Sequence, residues 1–374
     1  MKNFLIISHT VHFYMNSEWF AYAPYVREMN LWAKYVDQIS IVSPVGDSFD
    51  KNINLAYQHD QIKFHQVPAF SLVGSKQIFR TLFKLPKILA VIYKAMKQAD
   101  HIHLRCPGNM GLLGCLVQIF FPKTPKTAKY AGNWDPKSKQ PWSYNLQKWL
   151  LSNTKLTKKM QVLVYGEWPK QTKNIKPFFT ATYTEEEKQP VKVRNYTQDL
   201  HFCFVGSLAP GKQPLKAIQL IQELQQKGIE AILHIYGDGQ ERTRLESYIL
   251  QHQLEKSVFL YGNQPKEKVK KAIQHSHFLV LPSKSEGWPK VVAEAMFWGC
   301  IPIVTPISCV PWMLDNGQRG ILMDDTNLAQ TATTTLSFIK QPTKLECMAE
   351  QASEWSRHYT LDKFEEEIRK LLAP

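Results

Sequence analysis

The sequence predicts an α/β protein of two doubly wound domains, each a parallel β-sheet covered by helices on both faces. Three observations carry that expectation. A chain of 374 residues is too long for one ordinary core and suits two domains of roughly 150 to 200 residues. Short, near-continuous apolar runs alternate with longer stretches of helical spacing, as in a sheet buried on both sides. The alternation pauses at the polar, proline-containing stretch EEEKQPVKVRNYTQ (185–198) and then starts afresh, which marks a linker. Residues 1–190 are therefore expected as a first domain and 199–374 as a second, the last helix packing back toward the first.

Taken in order, FLIIS is a strand, followed by a helix around APYVREMNLWAKYVD and the strand QISIVSPV. IKFHQVPAF, HIHLR, TAKYAG and MQVLVYG are further strands, with helical stretches between them. The second half runs HFCFVGSL (strand), PLKAIQLIQELQQKG (helix), EAILHIYG (strand) and ERTRLESYILQHQ (helix). VFLYG, KEKVKKAIQHS, HFLVLPS, VVAEAMFWG and IPIVTP follow. Beta-branched and aromatic runs bounded by Gly and Pro give the strands, and the 3.6-residue spacing gives the helices.

Composition narrows the function classes. With 44% hydrophobic and 21% charged residues there is no case for disorder. The six cysteines show no C-x-x-C or Cys/His metal spacing, and several sit in apolar runs, so a reducing cytoplasm fits. The opening MKNFLIISHT has no small-residue cleavage site and reads as a strand. No apolar run approaches the ~18 to 20 residues of a membrane span. Charge is lopsided. Residues 1–180 hold 24 Lys+Arg and 9 Asp+Glu, a net of +15, so the rest of the +14 chain carries −1. Either the first half has a solvated basic face, or it meets something anionic.

Doubly wound sheets bind ligands beyond the carboxyl ends of their strands, and four polar or Gly-containing loops fall there: FVGSLAPGK, IYGDGQ, FLYGN and LPSKSEGWPK. In the last, Glu286 precedes a helix and Glu294 lies within it, seven residues between them and about 10 Å along the axis. Between them a helix N-terminus, with Pro289 in its first turn, offers N–H groups to a phosphate. A carboxylate at each end of an anion seat matches a nucleotide sugar. The alternative is a capping acid plus a surface glutamate. Against it, Glu294 sits among Val291, Val292, Ala295 and Met296, where a carboxylate needs a partner.

These residues, in the order FVGSLAPGK, LHIYGDG, VFLYG, VLPSKSEGWPKVVAEAMFWGCIPIVTP, DNGQRGILMD and WSRHYTLDKFEEEIRKLL, resemble the donor-binding domain of retaining glycosyltransferase family 4. The resemblance covers roughly 200–374 and implies the GT-B fold, two Rossmann-like domains facing a central cleft. It implies sugar transfer from a UDP- or GDP-sugar to a glycan or lipid-linked acceptor, with no cofactor beyond that donor. It puts Glu286 on the transferred sugar, Glu294 on the ribose and Lys212 on the diphosphate. Gly287 and Trp288 would face phosphates or sugar through their amides, and Gly206, Gly237, Asp238, Tyr261 and Gly262 would line the nucleotide pocket. This chain departs from the family at Ser207, where an arginine is common, so Lys290 or Lys216 would have to supply that cation. Pro289 removes an amide donor from the turn. No metal-binding Asp-x-Asp is present, so Lys212 and the helix dipole are expected to neutralise the leaving group without metal.

On the acceptor side the candidates are His9 and His12 after the first strand, Arg105 before Cys-Pro-Gly, and Asn133, Trp134 and Asp135 after KYAG. Each histidine equally suits an ordinary hydrogen-bonded loop, and Asp135 suits a turn cap before Pro136. The stretch 75–98 carries Lys76, Arg80, Lys84, Lys87, Lys94 and Lys97 among bulky apolar residues. That is the pattern of a peripheral helix on an anionic membrane surface, or of a sheet-covering helix with its lysines outward. Two other readings compete: another nucleotide-sugar chemistry such as epimerisation, and a non-catalytic protein whose donor site has decayed at Ser207 and whose basic half binds a polyanion. No nucleic-acid motif accompanies the charge.

Overall fold

The structure, a computed structural model, describes residues 2–51, 53–68 and 75–373, with the backbone alone over 75–82. Lys76 and Arg80 therefore lie outside the described side chains. Two compact units are present: residues 1–178 with 365–374, and residues 179–364.

The first unit runs β1 (Asn3–Ile7), β2 (His12–Met15), β3 (Glu18–Tyr22), α1 (Ala23–Ala33), β4 (Gln38–Pro44), β5 (Asn54–Ala56), β6 (Ile62–Val67) and α2 (Ser75–Lys97). It continues with β7 (His101–Cys106), α3 (Asn109–Val117), β8 (Lys126–Tyr130), α4 (Trp142–Ser152), β9 (Met160–Tyr165) and β10 (Ile175–Phe178). Seven strands form a parallel sheet in the order β10-β9-β8-β7-β1-β4-β6. The order reverses between β1 and β7, which opens a crevice at their carboxyl ends. Ile88 and Ile92 of α2, Leu112 and Leu113 of α3, and Leu150 and Leu151 of α4 share one core with the sheet. A small antiparallel sheet, β2-β3-β5, interrupts the first crossover. Sequence pattern missed it. Its two-residue turn, Asn16–Ser17, has φ of 49° and 65°, a left-handed turn usually signalled by Asn-Gly.

The second unit runs β11 (Leu200–Val205), α5 (Pro214–Gln226), β12 (Ala231–Tyr236), α6 (Arg242–Gln251), β13 (Val258–Leu260), α7 (Lys266–His275), β14 (Phe278–Leu281) and α8 (Lys290–Phe297). Then come β15 (Ile301–Val304), α9 (Val310–Met313), β16 (Ile321–Leu322), α10 (Leu328–Ile339), α11 (Pro342–Ser356) and α12 (Leu361–Leu372), which from Glu365 onward is grouped with the first unit. Six strands pair in parallel, in the order β13-β12-β11-β14-β15-β16, with the switch point between β11 and β14.

The stretch 185–198 is part of this second unit. Its Arg194 is 8% exposed, and its guanidinium donates to the carbonyls of Ser276 (2.8 Å), Gly299 (2.7 Å), Trp298 (2.9 Å) and Gln274 (3.3 Å). Those carbonyls end α7 and α8, so one cation satisfies the terminal acceptors of two helices. Among the described residues, no helix is long and apolar enough to cross a membrane.

Candidate functional site

In the second unit, the loops after β11 and β14 flank the switch point, and they carry Lys212 and Glu286. The Lys212 ammonium is ion-paired to Glu286 Oε1. Lys284 N donates to Gly211 O at 2.8 Å, tying the two loops together. Trp288 fixes the second loop from below: its side chain is buried against Trp355, Trp312, Tyr359 and Phe179. Gly287 O accepts from Ser308 Oγ at 3.1 Å. Pro289 is the N-cap of α8, and Lys290 opens the helix, exposed.

Three strand ends form the rim beside this pair. Gly206 N donates to Tyr236 O (3.0 Å), Gly237 N to Gly262 O (2.9 Å) and Leu208 N to Asp238 O (2.9 Å). Gly237 has φ +135°, and a Cβ there would lie 1.9 Å from Gly206 O, so only glycine fits. Tyr261 stacks on Tyr236 with ring centroids 4.8 Å apart, and its hydroxyl meets His234 Nδ1 at 3.1 Å. Asp238 and Ser207 are exposed, and Asp238 Oδ1 accepts from Gly239 N at 2.7 Å.

Glu294 has other neighbours. Thr182 Oγ1 donates to its Oε1 at 2.6 Å. Burial pushes its carboxyl above the usual range, opposed by the Thr182 bond and by Lys290 and Lys266. A small pocket beside it is lined by Thr182, Tyr183, Lys290, Phe297 and Tyr359. The two glutamates thus sit at opposite ends of α8's first turns with separate partners. Of the two substitute cations, Lys216 is held by Asp325, at 2.6 Å to Oδ2 and 2.7 Å to its carbonyl. Lys290, at the helix start, bears electrostatically on Glu294. Among the described residues no group of three or more His, Cys, Asp or Glu is placed to hold a metal ion.

In the first unit, the crevice between β1 and β7 is bordered by His9 and by Arg105 through Gly108. His9 is exposed and packs on Gly108, where an added Cβ would lie 2.8 Å from its Nδ1. Partial desolvation of the ring face against its neighbours, and then the Arg105 charge, lower the pKa of its imidazole. Arg105 is largely buried: its Nη1 lies 2.5 Å from Glu28 Oε1 and its guanidinium 5.4 Å from the centre of the Tyr25 ring. Lys129, fully buried, takes the other Glu28 oxygen at 3.1 Å and lies over Tyr165 and Phe178. Sequence reading missed Glu28 and Lys129. The only signal was a lysine at a core position of TAKYAG.

His12 is instead internal, fully buried, with Nδ1 on Thr10 O (2.8 Å) and Nε2 on Tyr57 OH (2.8 Å). Its two ring nitrogens are occupied, and burial holds its pKa down to about 4. Asn133 Oδ1 accepts from Asp135 N (2.8 Å), and Asp135 Oδ1 accepts from Lys137 N (2.8 Å). The pair shapes a turn. Trp134 is buried, donating to Gln171 Oε1 at 3.0 Å.

Residues 185–355, just under half of the chain, match the model of the glycosyl transferases group 1 family. Curated relatives include the putative colanic acid biosynthesis glycosyltransferase WcaL of Salmonella typhimurium, 30% identical over 37% of this chain and 36% of that protein. The lipopolysaccharide 1,6-galactosyltransferase of Escherichia coli is 30% identical over 41% and 40%. The chain aligns with less than half of each of these relatives. Among solved structures, sucrose-phosphate synthase from Thermosynechococcus elongatus has TM-score 0.68 at 15% identity, covering 99% of this chain and 98% of that one. Anabaena HepE in complex with UDP has TM-score 0.69 at 14% identity, covering 100% and 99%. Likeness along the whole chain shows the fold, GT-B.

Proposed function

We propose that this chain, whose residues 185–355 carry a group 1 glycosyl transferase domain, transfers a sugar from a nucleoside diphosphate sugar to a hydroxyl of a glycan or lipid-linked saccharide. The observation that carries the proposal is the Lys212–Glu286 pair at the β11/β14 switch point, beside the N-terminus of α8. An entering diphosphate finds the Lys212 ammonium and the α8 amides and releases Glu286 toward the sugar hydroxyls. Glu294, now bonded to Thr182, exchanges that hydroxyl for a ribose hydroxyl.

In this reading the anomeric C–O bond to the diphosphate breaks, a C–O bond to the acceptor oxygen forms as its hydroxyl proton passes to the departing diphosphate, and configuration is retained. Lys212 and the helix dipole stabilise the departing diphosphate without metal. Rate comes from that charge stabilisation and from holding the two substrates in line. The relatives' names, colanic acid and lipopolysaccharide synthesis among them, support a cell-surface glycan as product. We place this work in the cytoplasm, with the basic first half, net +15 over residues 1–180, on an anionic membrane.

Thermal shift with a panel of UDP- and GDP-sugars tests the proposal, on the wild type, Lys212→Ala and Glu294→Ala. A bound donor at a hundredfold excess over its dissociation constant adds about 2.7 kcal/mol. One nucleotide should stabilise the wild type and not the variants. No shift with any nucleotide would refute the donor site and favour the non-catalytic reading.

A further inference from the structure

The exposed large apolar side chains of the first unit fall into two groups: one around the small β2-β3-β5 sheet, and one along α2, α3 and α4, the helices that share one core against the large sheet. α3 packs against both of the others, so the three present one continuous outer layer. On it Phe83 is 75% exposed, Phe120 71%, Trp142 68% and Trp149 57%. Trp142 and Trp149 are seven residues apart and so lie on one side of α4. Tyr93 of α2 bridges to the turn that follows α3, with its ring centroid 5.1 Å from Phe121 and 6.4 Å from Phe120. Leu116, 40% exposed, lies one turn before Phe120.

The charge on the same helices is one-sided. They hold seven Lys and Arg, six of them on α2 and Lys148 on α4, and no Asp or Glu. A solvated helical surface normally mixes both signs, and scattered single apolar residues need no explanation. Large rings and aliphatics in an acid-free basic field do. A second copy of the chain would bring like charge to this layer. Nucleic acid would use the rings but gains nothing from Leu116. An anionic bilayer takes both: aromatic side chains settle at headgroup level, and lysines meet the lipid charge.

We infer that the outer side of α2, α3 and α4 docks on an anionic lipid bilayer, with Trp142, Trp149 and Phe120 inserted and Lys84, Lys87 and Lys94 on the headgroups. The inference narrows the peripheral-membrane part of the proposed function from one helix to a three-helix surface. It is independent of sugar transfer.

Flotation tests it, with vesicles of phosphatidylcholine alone or mixed with phosphatidylglycerol. The probes are wild type, Trp142→Ser/Trp149→Ser and Lys84→Glu/Lys87→Glu/Lys94→Glu. These surface changes leave the core intact, which the donor-induced thermal shift checks separately. Wild type should float with the mixed vesicles only. The tryptophan variant should bind at least about tenfold more weakly, and each lysine changed should cost about fivefold. If wild type floats and the tryptophan variant floats equally, the three-helix surface is overturned while membrane association survives. No flotation of the wild type overturns both. Salt-sensitive binding to single-stranded RNA without flotation overturns both in favour of nucleic acid. In each case the nucleotide-sugar result stands or falls on its own.

Discussion

Arg194→Ala removes a buried cation whose partners are all carbonyls. Four contacts of 2.7 to 3.3 Å end α7 and α8. At a net of about 1 kcal/mol for each, the second unit loses about 4 kcal/mol. For a unit of this size each kcal/mol lowers the midpoint by about 2 to 4 °C, so a fall of about 10 °C is expected in scanning calorimetry of the full chain. Gly299, the residue after α8's C-cap, holds φ +68° against Val191, with only 2.4 Å between an added Cβ and Val191 Cγ1. The segment around Arg194 is thus fitted closely to the helix end and leaves little room for repacking. Arg194→Lys keeps the charge but cannot fork, and should retain about half of the stability. A fall of less than about 3 °C for Arg194→Ala, with Arg194→Lys like wild type, would show that water replaces the guanidinium and would refute the argument.

Acid should destabilise the protein through its buried histidines. Burial holds His12 and His277 at about 4 in the folded protein, below the ordinary value of 6.5. Between those values only the unfolded chain takes up the protons, so the stability is complete above about 6.5 and lost as pH falls to about 4, at about 3 kcal/mol for each group. The urea midpoint should drop across that window and drop less in His12→Gln; equal slopes in both proteins would exclude His12 as a source. Gly237→Ala forces a Cβ to within 1.9 Å of Gly206 O and should cost about 3 kcal/mol or more, together with nucleotide binding. Gly228→Ala has φ +80° but nothing within 4 Å, so it should cost only about 1 to 2 kcal/mol. Matching losses would mean that backbone conformation, not the close approach, sets the price.

What sequence reading could reach was local. The buried strands announced themselves as β-branched and aromatic runs, and the two parallel sheets followed from their alternation with helices. Glu286, Lys212 and the glycine-ended strands could be placed at one sheet edge because the switch-point rule needs only element order. Arg194 could not. Its stretch is polar and holds a proline, and the carbonyls that bind it lie some 80 to 105 positions later in the chain. Glu28 and Lys129 were hidden for the same reason: a charge on α1 and a charge on β8 look solvated until the fold brings them together. His12 looked like a residue at a strand end. The unanticipated hairpin extends the chain there and folds Tyr57 over the ring.

The close approach of Gly206 and Gly237 also bears on how donor preference could change. Backbone-to-backbone bonds hold the ends of β11, β12 and β13 as one unit, so a ligand meets a rim already in its bound shape and spends little binding energy on ordering loops. Ser207 projects exposed from that rigid rim, whereas Asp238 also helps to hold it, accepting from Gly239 N and pairing with Arg242. Substitutions at Ser207 can alter which nucleotide or sugar is preferred while the scaffold stays put, giving the site room to diversify at a position the fold does not depend on.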